Sequence, residues 1–380
     1  MRILTVCVSG RVFGAEVVTL KMLEGFKQVG HEQLAVTSIW TDGEFSRRLR
    51  ELQIDEVKLP FGMISKKLAL RPLWWTFQML LRCPELWIGW RRLLRSFRPD
   101  LVLFTTWRHV FALYPVIGNR PSLLIEHSSV APTTSRRFLY RLLARKIRYF
   151  VTVSKSLSEQ VIKAGAPAAK VRVVHNGVFG MSDRPAIECE RASFRLSIPI
   201  RFGIVGQIAP SKGHDILFNA LASLQKRQRR ASVYVFGTGD SGYVATLKDK
   251  IASLGIGGDV HWMGYQSKRS DIYGQFDVAV VPSLFEDPFP TVALEASAYG
   301  RPVIASRIGG LPEIVEDHVT GWLIEPADSA ELARKMEDLV EHPEAIRAAG
   351  AAAAERVFSI FTQEKMIADL QGLFIEMGRS

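Results

Sequence analysis

The stretch PSLFEDPFPTVALEASAYGRPVIAS, residues 282–306, carries acidic side chains between apolar and small residues. The acids are Glu286, Asp287 and Glu295. The β-branched run Val278–Val281 in front of it predicts a buried strand, and Thr291–Tyr299 predicts a helix that ends at Gly300. A strand end joined to a helix start is where open α/β sheets bind their ligands. We therefore expect the acids at this join to contact a ligand.

The spacing of two of these acids indicates what the ligand would be. Asp287 and Glu295 are eight positions apart, one in the loop and one in the helix. A carboxylate can accept hydrogen bonds from two hydroxyl groups at once, and sugars and riboses offer vicinal hydroxyls. The acids bracket exposed backbone amides, so they suit a polyhydroxylated, phosphorylated ligand. Helix capping is the alternative, since acids favour a first helical turn, but it does not explain Glu295 within an apolar helix face.

Length and composition set the outer bounds. The chain has 380 residues, 47% hydrophobic and 23% charged, which fits two globular domains. The cysteines Cys7, Cys83 and Cys189 are far apart and odd in number. We therefore expect no disulfide framework or metal spacing, and a reduced, cytosolic compartment. The opening MRILTVCVSG predicts a first strand rather than a signal peptide, and no apolar run reaches the roughly 18 residues that span a membrane.

Positive charge is concentrated in the N-terminal half. The net charge is +11, and residues 66–98 contain many basic residues against one acid, Glu85. Tryptophans occur among the basic residues; they are Trp74, Trp75, Trp87 and Trp90. Arginine attracts anionic head groups and tryptophan prefers the interface, so we expect segment 66–98 to contact an anionic membrane surface from the cytoplasmic side. A helix pair with an apolar core face and a solvated basic face is the alternative.

Short β-branched runs alternate with amphipathic stretches along the chain. This is the βαβ pattern of a parallel sheet covered on both faces. The pattern weakens over a polar segment with two prolines and then restarts. We predict an α/β protein of two Rossmann-like domains facing across a cleft. The expected parts are a first domain at 1–180, a linker at 181–199, a second domain at 200–360 and a helix at 361–380 that packs back on the first domain.

Residues 202–217, FGIVGQIAPSKGHDIL, predict a strand, a loop and a helix start. Gly206 opens the loop, and Lys212 and Gly213 close it. Backbone N–H groups at a helix start attract anions, and a lysine there adds a full positive charge. The loop matches neither the Walker A nor the dinucleotide fingerprint. It is a candidate phosphate site, with a surface loop and a solvated lysine as the alternative.

Two further loops follow predicted strands and contain glycine. Residues 9–18 include Gly14, and residues 312–324 follow a glycine pair that ends in Gly310. The glycines would let backbone approach a ligand, and the second loop would offer N–H groups at a helix start. A tight turn and ordinary packing are the alternatives. His127 also follows a predicted strand and could hydrogen-bond a ligand, although a lone histidine is more often structural.

Together these stretches resemble the retaining, metal-independent glycosyltransferases of family 4, which have the GT-B architecture. The resemblance covers nearly the whole chain and is strongest over residues 151–328. VSKSLSEQVIKAG and VRVVHNGV look like the end of the family's first domain, and GQIAPSKGHDILFNAL looks like its phosphate loop. GTGD, VHWMGY and residues 277–324, DVAVVPSLFEDPFPTVALEASAYGRPVIASRIGGLPEIVEDHVTGWLI, look like its donor-binding half.

The resemblance implies roles in the second domain. Glu295 matches the acid that holds the donor's ribose, Asp287 the acid that faces the transferred sugar, and Lys212 the lysine that neutralises the diphosphate. Loop positions beside the phosphates would be Gly206, Gln207 and Gly213. Further donor contacts would be Glu286 and the backbone amides near Phe289, Thr291 and Val292.

The resemblance also implies roles in the first domain, and two positions depart from the family pattern. His127 matches a histidine near the sugar, and Gly14 belongs to a loop beside the reaction centre. The first acid of the family is usually glutamate, and here it is Asp287, whose shorter side chain is expected to change which sugar fits. Gln207 stands where many members carry an arginine, which removes one charge from the phosphate clamp.

The implied reaction converts an NDP-sugar and an acceptor hydroxyl into a glycoside and NDP, with retention. Lys212 and the helix starts at Gly213 and Gly310 would stabilise the departing diphosphate. No cofactor, metal or nucleic acid is expected. The acceptor would be a saccharide or lipid-linked molecule in polysaccharide, lipopolysaccharide or glycolipid biosynthesis. The alternatives are a sugar-nucleotide 2-epimerase of the same fold, a non-catalytic sugar-nucleotide-binding or scaffold protein and, last, a nucleic-acid binder suggested by charge alone.

Overall fold

Two separate sheets take up the buried runs that the alternation predicts. The computed structural model describes residues 1–9, 12–41, 43–62 and 81–378. The chain divides into two compact units, Met1–Gly177 with Gln363–Ser380, and Val178–Thr362. Each unit contains one parallel sheet and its own helices.

The first unit has seven described strands in the order β3-β2-β1-β4-β5-β6-β7. The strands are β1 (Arg2–Val6), β2 (Glu32–Ser38), β3 (Asp55–Leu59), β4 (Leu101–Phe104), β5 (Ser122–Glu126), β6 (Tyr149–Thr152) and β7 (Val171–Val173). The described helices are α1 (Gly14–Gln28), α2 (Glu44–Glu51), α3 (Cys83–Phe97), α4 (Trp107–Leu113), α5 (Thr134–Leu143), α6 (Lys155–Lys163) and α15 (Gln363–Gly378). The strand order reverses between β1 and β4.

Burial explains why these runs become strands. Every residue of β4, β5 and β6 is buried, as is typical of a parallel sheet with both faces covered. Helix α1 ends just before Gly30, as predicted. Gly30 has φ +81°, a conformation that favours glycine and stops the helix.

The second unit has six strands in the order β10-β9-β8-β11-β12-β13. They are β8 (Ile200–Val205), β9 (Ala231–Phe236), β10 (Val260–Gly264), β11 (Val278–Val281), β12 (Val303–Ser306) and β13 (Gly321–Ile324). The helices are α7 (Arg184–Ser193), α8 (His214–Lys226), α9 (Ser241–Leu254), α10 (Arg269–Tyr273), α11 (Thr291–Ala298), α12 (Leu311–Ile314), α13 (Ser329–Glu341) and α14 (Glu344–Ile360).

The strand order of this second sheet reverses between β8 and β11, which pair directly with Val278 beside Phe202. The strand and helix predicted on either side of the acidic loop are both confirmed, as β11 and α11. Gly300, with φ +69°, follows the end of α11. Two parallel sheets with helices confirm the predicted α/β class with two Rossmann-like units.

Residues 181–199, expected as a linker, contain helix α7 and belong to the second unit. Pro185 lies in the first turn of that helix, where a proline needs no N–H partner. Ile187 is buried, and Arg184 forms an ion pair with Glu355 at 2.8 Å. The prolines and polar residues therefore accompany a packed helix here.

The last helix, α15, belongs to the first unit and packs against α1. The Gln363 side-chain amide donates to the Lys21 carbonyl at 2.7 Å. Gly25 of α1 leaves room for Ile367, since a Cβ at Gly25 would lie 2.5 Å from that side chain. The lack of a side chain at Gly25 thus lets α15 pack closely against α1.

The described part of segment 66–98 has its tryptophans turned inward. Trp90 is fully buried, and the Trp87 indole donates to the Ala112 carbonyl at 2.9 Å. The exposed basic residues of this part are Arg82, Arg91, Arg92, Arg95 and Arg98. The expectation that tryptophans here meet a membrane is wrong for Trp90, which lies in the core, whereas Trp87 is only partly buried. Residues 66–80, with Trp74 and Trp75, lie outside the described residues.

Candidate functional site

Three loops of the second unit meet at one edge of its sheet. They follow β8, β11 and β12, which are neighbours at the point where the strand order reverses. The carboxyl ends of parallel strands share one edge, and the reversal leaves a crevice there that is the usual ligand site of open α/β sheets. The predicted phosphate loop and the predicted acidic loop are therefore adjacent.

Glycines allow these loops to approach so closely. Gly213 has φ +70°, and a Cβ there would lie 2.0 Å from the Pro282 carbonyl oxygen. Gly309 has φ +61°, and its Cβ would lie 2.4 Å from the Asp287 carbonyl oxygen. Contacts shorter than about 3 Å are excluded for a real side chain. The loops after β8 and β12 can therefore pack against the acidic loop only because residues 213 and 309 have no side chain.

The structure joins two of the predicted catalytic residues directly. The Lys212 ammonium donates to Asp287 Oδ2 at 2.6 Å, between side chains that are 36% and 21% exposed. Lys212 ends a short 3₁₀ turn after β8, and Asp287 lies in the loop after β11. An ammonium group has three donors. Lys212 can therefore keep this contact and still donate to a second anion.

Glu295 is held by two residues that the sequence did not indicate. The Tyr273 hydroxyl donates to its Oε2 at 2.9 Å, and Arg269 Nε lies 3.4 Å from its Oε1. Burial, reinforced by the charge of Glu295, raises the pKa of Tyr273 well above its usual value. Tyr273 thus stays protonated and donates. Nothing in the spacing of residues 269–273 predicts this contact.

Aromatic rings support the same carboxylate from behind. Tyr273 stacks on Tyr299 with ring centroids 5.4 Å apart, and the Arg269 guanidinium lies 5.1 Å from the centre of the Phe179 ring. Tyr299 in turn contacts Phe179 edge-on. The orientation of Glu295 is therefore fixed by packing as well as by hydrogen bonds.

The start of the loop after β8 lies beside the loop after β9. Gly206 has φ +135° and its amide donates to the Phe236 carbonyl at 3.0 Å. A Cβ at Gly237 would lie 1.8 Å from the Gly206 carbonyl oxygen. Gln207, which replaces an expected arginine, is exposed at this edge. The GTGD stretch thus borders the predicted phosphate loop.

The remaining predicted donor contacts lie around the start of α11. Thr291 and Val292 occupy its first turn, where backbone N–H groups have no partner within the helix. The Phe289 side chain is buried against Phe361. Glu286 is exposed in the loop. The Phe289 side chain therefore packs in the core, and the role that the resemblance implies for its amide stays a prediction.

The helix start at Gly310, expected to bind anions, is short and has its first amide paired. The helix after it, α12, has only four residues. The Gly310 amide donates to the Asp287 carbonyl at 2.9 Å. Because that N–H group is already paired, Gly310 fixes the acidic loop and does not offer a donor to a ligand.

His127 and Gly14 lie in the first unit. His127 follows β5, and both of its ring nitrogens are buried with no hydrogen-bond partner among the described residues. Burial lowers the pKa of His127 to about 4, so the ring is neutral near pH 7. Gly14 begins α1. Next to His127, Glu126 accepts from the Tyr140 hydroxyl at 2.7 Å, and burial raises the pKa of Glu126 to about 7.

Neither a metal-binding cluster nor a membrane-spanning helix is found among the residues that the structure describes. Across these ranges, no group of three or more histidine, cysteine, aspartate or glutamate side chains could hold a metal ion. No described helix is both long and apolar enough to cross a bilayer.

Comparison with known families divides the chain in two. The profile described as Glycosyltransferase Family 4 matches residues 12–178, and the profile described as Glycosyl transferases group 1 matches residues 191–356. The first match lies within the first unit except for Val178, and the second lies within the second unit. The predicted phosphate loop after β8 and the acidic loop after β11 both fall inside the second match.

Curated relatives match over part of their length. The D-inositol 3-phosphate glycosyltransferase of Streptomyces avermitilis is 32% identical over 258 residues, which are 64% of this chain and 55% of the relative. An uncharacterized glycosyltransferase of Methanocaldococcus jannaschii is 34% identical over 192 residues, 48% of each chain. The chain thus spans about half the length of the curated relatives it matches.

Solved structures match over almost the whole chain. Anabaena HepE in complex with UDP and glucose has a TM-score of 0.78 at 21% identity, over 99% of both chains. Sucrose-phosphate synthase from Thermosynechococcus elongatus has a TM-score of 0.77 at 19% identity, over 100% of this chain and 99% of that chain. At such identities the likeness shows the fold alone, and with the two Rossmann-like sheets it confirms the predicted GT-B fold.

Proposed function

Because the chain belongs to glycosyltransferase family 4 and has the GT-B fold, we propose that it transfers a sugar from a nucleotide diphosphate donor to an acceptor hydroxyl. One observation carries this proposal. Lys212 and Asp287 pair across the reversal point of the second sheet. A cation and a carboxylate at that point suit a ligand with both a diphosphate and a polyhydroxylated part.

Glu295 is proposed to hold the ribose of the donor. A carboxylate has about four acceptor sites on its two oxygens, and Tyr273 and Arg269 occupy only part of them. The remaining sites can accept the two vicinal ribose hydroxyls. The two anchors keep the carboxylate in one orientation, so little side-chain freedom is lost when the ribose binds.

In the proposed reaction, the bond between the anomeric carbon and the diphosphate oxygen breaks, and the acceptor oxygen bonds to the same carbon. The acceptor proton passes to an oxygen of the departing diphosphate, so that a glycoside and a protonated NDP result. The transition state resembles an oxocarbenium ion. Lys212 stabilises the charge that grows on the diphosphate, and Asp287 faces the sugar.

Retention and independence from metal ions are parts of the same proposal. We take both from the family resemblance, together with a positive charge that the chain itself supplies at Lys212. HepE was solved with UDP, so UDP is the first nucleotide to test. The acceptor is proposed to be a saccharide or a lipid-linked molecule of cell-envelope synthesis. From the family resemblance, His127 is proposed to lie near the transferred sugar.

Contact with an anionic membrane surface is proposed on charge alone. Helix α3 exposes Arg91, Arg92 and Arg95 on its outer face, and Ile88 is half exposed beside them. Arginines near a lipid surface each contribute about 1 kcal/mol to binding. Flotation with vesicles of anionic lipid tests this proposal. No binding at low salt would contradict it.

The donor site is tested by calorimetric titration of the purified chain with UDP, GDP and ADP. Lys212→Ala and Glu295→Ala are the test variants, and Lys226→Ala is the control, because Lys226 is exposed at the far end of the helix that follows Lys212. We expect one nucleotide to bind the parent and the control equally, and both test variants at least about tenfold more weakly.

The same preparations separate the proposal from its alternatives. Nucleotide binding without release of NDP in the presence of any acceptor tested would favour the non-catalytic sugar-nucleotide-binding protein. Isomerisation of the NDP-sugar with no acceptor added would favour the 2-epimerase. Binding that neither test substitution weakens would place the nucleotide elsewhere and contradict the assignment of the site.

A further inference from the structure

A cavity lies at the edge of the second sheet opposite to the edge that carries Lys212 and Asp287. Its volume is about 510 Å³, within the range of about 300–1,000 Å³ that small-molecule sites have. It is lined by α7, by the residues that precede β12 and by the first part of α14. The donor residues follow the carboxyl ends of strands, whereas this cavity borders the amino ends.

The lining of this cavity contains more positive than negative side chains. Four arginines line it: Arg191, Arg195, Arg301 and Arg347. The one acid in the lining is Glu188, and its carboxylate is paired with Arg184 at 2.8 Å. None of the four lining arginines forms an ion pair with any residue that the structure describes. Arg195 donates to the carbonyls of Ala192 and Phe194, so its guanidinium group has backbone partners but no carboxylate in an ion pair with it.

Arg301 is the buried member of this group, with only 4% of its surface exposed. Its Nε donates to the Tyr273 carbonyl at 2.7 Å, and the centre of its guanidinium lies 3.2 Å from the centre of the Phe194 ring. Its terminal nitrogens have no hydrogen-bond partner among the described residues. Burial lowers the pKa of Arg301 to about 9.

The buried acid whose charge acts on Arg301 is Asp277, and it makes its hydrogen bonds to other groups. Asp277 accepts from the Ser197 amide at 3.0 Å and from the Arg201 amide at 2.7 Å, and it lies 3.6 Å from Arg201 Nε. A buried guanidinium without an anion costs several kcal/mol of desolvation. The charge of Asp277 offsets part of that cost, and an anion in the cavity would offset more of it.

The cavity is also shaped in advance. Gly300 has φ +69°, and a Cβ there would lie 3.0 Å from Arg191 Nε. The absence of a side chain at residue 300 lets Arg191 lie over the backbone. Tyr299, Ile346 and Ala351 add a less polar wall. A ligand here would therefore have an anionic group toward the arginines and an uncharged body toward that wall.

We propose that this cavity binds a small phosphorylated molecule through Arg191, Arg195, Arg301 and Arg347. The planar guanidinium fork matches the oxygens of a phosphate, and several such groups around one cavity favour phosphate over a simple halide. The inference rests on the second unit alone and does not depend on the proposed sugar transfer.

The test is calorimetric titration of the full chain with inorganic phosphate at constant ionic strength. The variant Arg195→Ala/Arg347→Ala removes two exposed arginines and leaves the buried Arg301 in place. The matched control is Arg230→Ala/Arg334→Ala, which removes two exposed arginines elsewhere on the same unit. We expect phosphate to bind the cavity variant at least about tenfold more weakly, and the control as tightly as the parent.

A third variant, Lys212→Ala, distinguishes this cavity from the candidate donor site. We expect it to keep the phosphate-binding event that the cavity variant loses. The proposal is overturned if Lys212→Ala abolishes phosphate binding while the cavity variant retains it, since the phosphate then occupies the donor site. It is also overturned if the parent binds no phosphate at about 10 mM.

Discussion

Replacing Asp287 by asparagine separates its effect on the nucleotide from its effect on the sugar. The substitution removes one negative charge and keeps a side-chain oxygen that can accept from Lys212. In the parent, the Lys212 ammonium lies 2.6 Å from Asp287 Oδ2. The backbone of Asp287, which accepts from the Gly310 amide, is unchanged. We expect the variant to bind nucleoside diphosphate more tightly than the parent and to transfer sugar more slowly.

The magnitude follows from the geometry of the pair. A phosphate oxygen in contact with the Lys212 ammonium would lie about 5 Å from the Asp287 carboxylate, since each hydrogen bond spans about 2.6–2.9 Å. Two like charges at 5 Å repel by about 3 kcal/mol at a dielectric constant near 20, and by about 0.8 kcal/mol in water. Both side chains are partly exposed, so we expect about 1 kcal/mol, or about fivefold tighter binding.

The assay is titration with the nucleotide that binds the parent, combined with initial rates of transfer. The control is Asp249→Asn, which removes the same charge from an exposed position in α9, away from the predicted site. Transfer by Asp287→Asn should fall about 10- to 100-fold, because a hydrogen bond to a charged group contributes about 1.5–3 kcal/mol. Nucleotide affinity that falls as far as in Lys212→Ala would refute the reasoning. Asp287 would then serve to orient the lysine and not to contact the sugar.

Three further outcomes are expected. Tyr273→Phe should weaken nucleotide binding about 3- to 10-fold, because Glu295 loses the 2.9 Å hydrogen bond that orients it; unchanged titrations would contradict this. Gly213→Ala should lower the free energy of unfolding by at least about 3 kcal/mol, because the alanine would need φ +70° and its Cβ would clash with the Pro282 carbonyl oxygen. The control is Gly255→Ala, at φ +72° with open space around it, which should lower the free energy of unfolding by about 1 kcal/mol in the same denaturant titration. Burial raises the pKa of Glu126 from 4.5 to about 7, so between these pH values the folded chain keeps a proton that the unfolded chain has lost. As pH rises through this window, Glu126 therefore lowers the free energy of unfolding by up to about 3 kcal/mol. Glu126→Gln should remove this dependence of the unfolding free energy on pH. Equal pH dependence in parent and variant would show that this carboxyl is not the cause.

Local features of this fold were predictable because their causes are local. Strand β11 follows from the apolar run Val278–Val281, and helix α11 follows from the residues after the acidic loop. Gly30 and Gly300 mark helix ends because each adopts a conformation that other residues avoid. The family motifs lie in the same local stretches, which explains why the loops of the donor edge were found.

Contacts between distant residues could not be predicted in this way. The pair Lys212–Asp287 spans 75 residues and exists because β8 lies beside β11, a neighbour relation that no local pattern encodes. The amide of Gly310 is paired for the same reason, since β12 lies beside β11. The basic neighbours of Trp90 favour a membrane contact over a place on the core face of a helix. Its burial depends on which face of α3 meets the sheet, and charge composition does not determine that.

Arg301 and Glu295 share one neighbour. The Arg301 Nε–H donates to the Tyr273 carbonyl, and the Tyr273 hydroxyl donates to Glu295. The backbone and the side chain of a single residue thus join the two opposite edges of the sheet. Thermodynamic linkage requires that the factor by which phosphate changes nucleotide affinity equals the factor by which nucleotide changes phosphate affinity. Titrating nucleotide with and without phosphate measures that factor, and a value of one means that Tyr273 supports both edges without coupling them.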